Sequence, residues 1–528
     1  MKKSILLIAA VLIHFAAATP QSCLPEGITF STQEQIDNFQ SDYPECTEIE
    51  GDVTIQGNDI TNLNGLSVLT SISGNFEIRS NSSLVNLDGL IGLSSIGDNL
   101  IISDNPLITS LAGLSNLTSI AGGLALTQIQ ALNSLTGLES LTSIGSFLYI
   151  GYGIALTSLT GLDNLTSIGG DLVIERSTSL KSLTGLSSLT TIGGLFEISH
   201  IWCFINLTGL EGLTSIGGDM MIKSNQALTS LTGLNNLTSI KGNLIIEWNA
   251  SLNSLSGLEN LTSIEKNIKI NFNYGLSSLT GLEGLNSITG YLDIGRNALI
   301  SYSGLNNLTS IGGDLLSWSN LSMSSLSGLE NLTSVGGKLW ISDNWSLTSL
   351  EGLYGLSEIV GSLTILGNSS LTSLAGLDSI PSGSITELDI RYNFSLSTCH
   401  VQSICSYLIA PNGTVTISDN APGCNNPEEV IEACESSSIE VIPVEDGFTV
   451  FPNPFTDQLS IELSLDKPSL VAVTVYNNMG QLVEWPIEKE LYPGVNQLQW
   501  DSSILPPGIY LLHLQVGREI VTRKIIKY

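Results

Sequence analysis

Between Leu156 and Ile174 the chain reads LTSLTGLDNLTSIGGDLVI, with Leu156, Leu159, Leu162, Leu165 and Ile168 at every third position. After Gly169-Gly170 the apolar spacing drops to two, in Leu172 and Ile174. That alternation predicts a half-buried strand, and the whole unit predicts one coil with several short sides. The Gly-Leu pair returns from Gly65 to Gly376 at intervals of 24 residues, except for the 23 between Gly281 and Gly304. A fixed period of this size predicts a solenoid, in which each unit buries its apolar side only against its neighbours. Ser, Thr, Gly and Asn fill the positions where a leucine-rich repeat would carry a convex helix, and they are poor in helix interiors. The expected fold is therefore all-β. Fifteen copies of the Leu-x-Ile strand, from Val53 to Leu388, stacked at about 4.8 Å per rung, predict a rod about 70 Å long.

The corner after each strand carries Asn at 58, 81, 105, 225, 249, 273, 297, 320, 344, 368 and 393, where stacked amides can bond from rung to rung. Ile129, Gly153, Ser177 and Ile201 interrupt this column, and Trp202 and Cys203 follow the last of them. The interruption marks either a corner filled by other side chains or a local bend or groove. A second column, of Thr at 118, 142, 166, 190, 214, 238, 262, 309 and 333, suits a solvent-facing strand position because the branched side chain fits the pleat. Aligned hydroxyls on a flat face could also order water, which raises a structural or ice-facing spacer as an alternative.

Composition adds compartment and partners. At 42% hydrophobic and 13% charged residues the chain is too apolar to be disordered. Its formal net charge of -31 repels phosphate backbones, which excludes nucleic acid as a partner. From Gly447 onward there are 8 acidic and 6 basic residues, so the acidity belongs to the repeats and their flanks. Lys2 and Lys3 precede the apolar run Ile5 to Ala18, and Ala16 and Ala18 supply a small-x-small cleavage pattern. Residues 1–18 are thus an expected signal peptide.

The opening CLPEGITF...IDNFQSDYPECTEIEGDVTIQG and the repeats of GLxxLTSIGGxLxIxxN resemble the receptor L domain, the β-solenoid of insulin and epidermal growth factor receptor ectodomains and of bacterial surface proteins. The resemblance spans roughly Cys23 to Cys434 and implies a long right-handed β-solenoid used for binding. Receptor domains are shorter than this array, so their ligand-contacting residues do not carry over. FPNPFTDQLSI, YNNMGQLV, LPPGIYLLHLQVG and the basic ending RKIIKY resemble the sorting domain of the type IX secretion system of Bacteroidetes. The motif positions are Pro452, Asn453, Pro454, Gly480, Gly508, Tyr510, Lys524 and Lys527. This likeness implies export by that machinery, removal of the tail by its sorting peptidase, and attachment to surface lipopolysaccharide or release. Short alternating strands with turn signals predict a small β-sandwich there. The expected order is then signal peptide 1–18, N-terminal cap 19–52, solenoid repeats 53–398, disulfide-held cap 399–435, linker 436–447 and sorting domain 448–528.

In an exported chain, seven cysteines suggest three bridges and one spare. Cys23 with Cys46 is the simplest first pair, Cys399, Cys405, Cys424 and Cys434 hold two more with the pairing open, and Cys203 is left free beside apolar Ile201 and Phe204. In a bacterial chain the Asn-x-Ser/Thr sequons at 116, 164, 206, 236, 260, 307 and 331 read as repeat grammar, not glycosylation sites.

Catalysis on a β-helix would need titratable groups gathered on neighbouring rungs. His200, His400 and His513 lie in three separate regions, and Glu77, Glu175, Glu197, Glu247, Asp293 and Asp389 are scattered along the strands. The expected protein is not an enzyme, with no cofactor and no metal site, although β-helix polysaccharide-active enzymes keep that alternative in view. Trp248, Phe272, Tyr274, Trp318, Trp340 and Trp345 cluster on strands or on the Asn corner. With Trp318 and Trp340 both facing outward, these rings form the expected edge for a glycan or an extended protein ligand.

Overall fold

Each turn of the repeat lays down one four-residue strand, such as Leu172–Glu175, with Leu172 and Ile174 buried and Val173 partly exposed. In the computed structural model these strands stack in register, Leu172 opposite Phe196 and Ile174 opposite Ile198. Residues 21–153, 155–437, 448–477, 481–503, 505–516 and 519–528 are described. The expected signal peptide, residues 438–447 of the expected linker and motif residue Gly480 lie outside the described residues. The chain divides into two compact units, Met1–Cys434 and Glu435–Tyr528.

Seventeen strands, from Ile28–Phe30 to Val415–Ser418, form one parallel sheet along the first unit. That is two more than the Leu-x-Ile pattern showed, because each cap contributes a strand with a weaker signature, and it makes the stack about 77 Å long at 4.8 Å per rung. Two-residue strands such as Ser167–Ile168 form a second parallel ladder, interrupted once between Ser263–Ile264 and Ser287–Ile288. The Leu-rich sides are turns, with single 3-10 turns at Asn64–Leu66, Asp88–Leu90, Ala112–Leu114 and Glu351–Leu353. Their leucines all point inward, so one continuous core runs from Phe30 to Val430.

Polar columns tie the rungs together. Asn273 Nδ2 donates to the Ile246 carbonyl at 2.8 Å, and its Oδ1 accepts the Asn249 N–H at 3.0 Å, all fully buried. The same pattern repeats from Asn81 onward and extends past Asn393 to Asn420 in the cap. Asn58 does not belong to it: that side chain is exposed, and Gly57 takes the ladder position by donating its N–H to Asn81 Oδ1. At the interruption Ile129 and Ile201 are fully buried and plug the corner with hydrocarbon. Thr166 Oγ1 donates to the Thr142 carbonyl and Thr190 Oγ1 to that of Thr166, so the Thr column spends its hydroxyl protons on the ladder. Six of the seven sequon asparagines do likewise, with Asn164 Nδ2 donating to the Glu139 carbonyl and Asn236 Nδ2 to that of Glu211, whereas Asn206 Oδ1 accepts the Thr208 N–H.

Terminal rungs have no neighbour to pair with, and short helices in the expected caps cover them. Gln33–Asp37 starts from a capping box in which Thr32 and Gln35 satisfy each other's backbone N–H groups. At the other end Gln402–Ile409 and Pro427–Ser437 close the core. The bridges are Cys23–Cys46, Cys399–Cys424 and Cys405–Cys434. Cys203 is free, but it is exposed, not enclosed by Ile201 and Phe204, because those two side chains turn inward.

The last helix has its own acid-sensitive lock. Glu429 accepts the N–H groups of Gly423 at 2.7 Å and Asn425 at 3.1 Å, while Asn426 Oδ1 accepts the Glu429 N–H at 2.9 Å. The Asn425 and Gly423 donors hold its carboxyl below the ordinary 4.5. A carboxylate with a lowered folded-state pKa contributes stability that is complete above its ordinary value and is lost as the pH falls through the lowered one. Glu429→Gln should therefore reduce the melting temperature at pH 7, and the gap to the unaltered protein should shrink at pH 3. Thermal melts of both proteins at the two pH values check this, and an unchanged gap would argue against the lock.

The second unit packs a three-stranded antiparallel sheet, with Gln458–Leu465 between Phe448–Phe451 and Gly494–Asp501, and a four-stranded one, ordered Leu482–Leu491, Ser469–Asn477, Gly508–Val516, Glu519–Lys527. Phe455, Trp500, Tyr510 and Ile525 belong to its separate core. Asn453 clamps the last strand, donating to the Lys524 carbonyl and accepting the Ile526 N–H, both at 2.9 Å. Tyr510 donates its hydroxyl to the Pro506 carbonyl at 2.7 Å, and buried Lys527 donates to that of Ser502.

Candidate functional site: an aromatic corner and its groove

The corner between strand and Asn ladder is a left-handed bend in nearly every turn. Its residues include Ser224, Trp248, Phe272, Arg296 and Ser319, with φ between 52° and 61°. This conformation turns the side chain out of the coil, so consecutive turns stack whatever they carry there. Trp248 and Phe272 stack face to face, 4.0 Å between ring centroids and 8° between planes. Arg296 follows in the same column and lies over Phe272 at 5.4 Å and Trp318 at 5.8 Å.

Trp318 sits one position earlier, at the end of strand Leu315–Trp318, opposite Gly295 and Ser342. It shares the outer face of its strand with Leu316 but is half-buried, and the residue equivalent to Trp340 one turn earlier is Leu316. The indole lies over Gly295, where a β-carbon would come within 2.1 Å of the ring. Its Nε1 donates to Asp293 Oδ1 at 2.7 Å, and Asn271 Nδ2 donates to the other oxygen of Asp293 at 3.1 Å. Alanine at Trp318 would remove a structural contact as well as a surface ring.

Just past the ladder, the residues following each Asn form a further column: Tyr274, Ala298, Leu321, Trp345. The 23-residue interval falls here. Ala298 alone spans the step from Asn297 to Leu299, which takes Tyr274 and Gly275 one turn earlier and Leu321 and Ser322 one turn later. The short turn leaves a groove of about 420 Å³, lined by Tyr274, Arg296, Ala298, Leu321 and Trp345 among others. Tyr274 and Trp345 are each 55% exposed and stand three turns apart, or about 14 Å by rung spacing. Inside the same turns, fully buried Tyr302 replaces a leucine and buried Ser317 the usual isoleucine, so a larger side chain is matched by a smaller one.

Of the six expected aromatic residues, the structure thus joins Trp248, Phe272 and Trp318 into one ridge and places Tyr274 and Trp345 at the groove. Trp340 stands apart on the sheet face with Lys338 over its ring at 4.8 Å. The sequence reading missed Arg296, Gly295, Ala298 and Leu321. The 23-residue interval was the available signal for the last two.

Five of the six strand acids have partners of their own. Glu77 pairs with Arg79, Glu247 with Lys269 and Asp389 with Arg391. Glu175 accepts the Tyr149 hydroxyl, and burial together with that carboxylate pushes the phenol pKa up. A smaller groove of about 310 Å³ lies beside Tyr149 and Tyr152, at the interrupted part of the Asn column. Among the described residues, no group of three or more His, Cys, Asp or Glu is placed to hold a metal ion.

Residues 449–528 match the family described as the secretion system C-terminal sorting domain. The protein is therefore exported, to the cell surface or the medium, and its tail engages the type IX secretion machinery. No curated protein matches the chain.

Proposed function

We propose that the solenoid of this exported protein is a non-catalytic binding or adhesion module, akin to receptor L domains, that holds a glycan or an extended protein ligand along the corner from Trp248 to Trp345. The observation that supports this reading best is the groove of about 420 Å³ walled by two exposed aromatic rings. Its volume is within the range of ligand-binding clefts, and rings held apart on successive turns of the coil offer stacking faces at little entropic cost. A plain spacer would gain nothing from exposing them. The Thr column, with its hydroxyls donating to the ladder, gives a water-ordering face no comparable support. After export the tail is removed by the sorting peptidase, and the mature chain is held on surface lipopolysaccharide or released.

A glycan array probed with the exported protein tests the reading. The expected result is a defined set of bound saccharides, with the double substitution Tyr274→Ala and Trp345→Ala weakening binding about 100-fold, at about 1–2 kcal/mol per ring. Unchanged affinity in the double variant would move the site elsewhere.

A further inference from the structure

We infer that the groove selects saccharides bearing a carboxylate, such as uronic acids, with Arg296 as the group that reads the charge; this rests on the reading of the groove as a binding site. The solenoid has four arginines. Arg79 pairs with Glu77 at 3.2 Å, Arg176 with Glu175 at 3.8 Å and Arg391 with Asp389 at 2.6 Å. Arg296 alone has no carboxylate partner among the described residues. The acid on the strand that leads into it, Asp293, is occupied by Trp318 Nε1 and Asn271 Nδ2.

That occupation depends on one missing side chain. Trp318 reaches Asp293 by lying across Gly295, which any β-carbon would prevent. Phe272 and Trp318 in turn hold the Arg296 guanidinium through their ring faces, which cuts the entropy lost on binding without using its N–H donors. An oriented fork with free donors at the wall of a groove matches a carboxylate, which it can bind through two parallel hydrogen bonds. The chain's net charge of -31 opposes an anion at long range, but beyond about 8–10 Å it is screened at physiological salt. Asp343, two turns further along the Arg296 column, is at about that distance by rung spacing. A saccharide fits better than an acidic peptide because Tyr274 and Trp345 add two flat apolar walls, on which sugar rings stack.

The test titrates the full chain, followed by tryptophan fluorescence, with short oligomers of galacturonate, alginate and hyaluronan, with their methyl esters, and with an oligoglutamate peptide. The acidic oligosaccharides should bind, and esterification should weaken them about tenfold or more. Arg296→Gln should produce the same loss for the acids and leave the esters unaffected, while Arg296→Lys should recover part of it. Gly295→Ala should also lose the preference with Arg296 still in place, since Trp318 is displaced and Asp293 released to neutralise the guanidinium. Circular dichroism and melting curves confirm that each variant is folded. Equal binding of acids and esters, no effect of Arg296→Gln, binding of the peptide alone, or no binding of any acidic oligosaccharide would each overturn the inference. The broader reading would survive them if the array finds another ligand lost in the Tyr274 and Trp345 double variant.

Discussion

Alanine at Gly257 should destabilise the solenoid by about 3–5 kcal/mol, the scale of a strained backbone compounded by overpacking. Gly257 has φ +113°, and a β-carbon there would lie 2.1 Å from the Leu231 carbonyl oxygen of the preceding turn. That oxygen belongs to backbone held in the core between buried Leu231 and Leu234, so relief requires the turns to part. The substitution also disturbs the bond from the Gly257 N–H to Glu259 at 2.9 Å. Gly383→Ala is the control, since nothing lies within 4 Å of its β-carbon position, and it should change stability by less than about 0.5 kcal/mol. Denaturant unfolding of the exported protein measures both; equal stability of the two variants would refute the packing argument.

Asn273→Ala is expected to cost about 3–4 kcal/mol. It strips the Ile246 carbonyl and the Asn249 N–H of their side-chain partner inside a fully buried ladder, at about 1–3 kcal/mol for each group left unsatisfied. Because each rung of a solenoid is stabilised by its neighbours, hydrogen exchange should rise first in the turns on either side of Asn273. Asn58→Ala, at the exposed position outside the ladder, should leave exchange and melting unchanged. A protected ladder around Ala at 273 would show that the amides contribute little.

The two glycine classes show how far reading the repeat goes. Gly257 and nine other Gly-Leu glycines adopt φ near +105° to +115°, while Gly65, Gly89, Gly113 and Gly352 sit in 3-10 turns. In most of the first class an acid or amide two residues on accepts the glycine N–H, as Glu139, Asp163, Glu211 and Glu283 do. The 3-10 turns carry Ser67, Ile91, Ser115 and Tyr354 there instead. Part of the net charge of the repeats is thus turn chemistry, and it was legible in the sequence as acidity without its cause.

What the sequence determined by itself is whatever depends on a residue and its period: the rungs, the inward leucines, the buried amide column and the sorting tail. Alternation and threefold spacing express these directly, because every turn repeats the same environment. What depends on which side chains meet across turns was decided only by the tertiary structure. Asp293 and Trp318 are 25 residues apart and bond at 2.7 Å, and that contact leaves Arg296 without an acid. Asn58 and Gly57 are neighbours, yet the stacking register gives the ladder position to Gly57. The groove follows from one omitted residue at Ala298, which in the sequence is a change of one in a count of 24. In the folded coil it becomes a notch between Tyr274 and Trp345, because rigid rungs about 4.8 Å apart cannot close around a shortened turn.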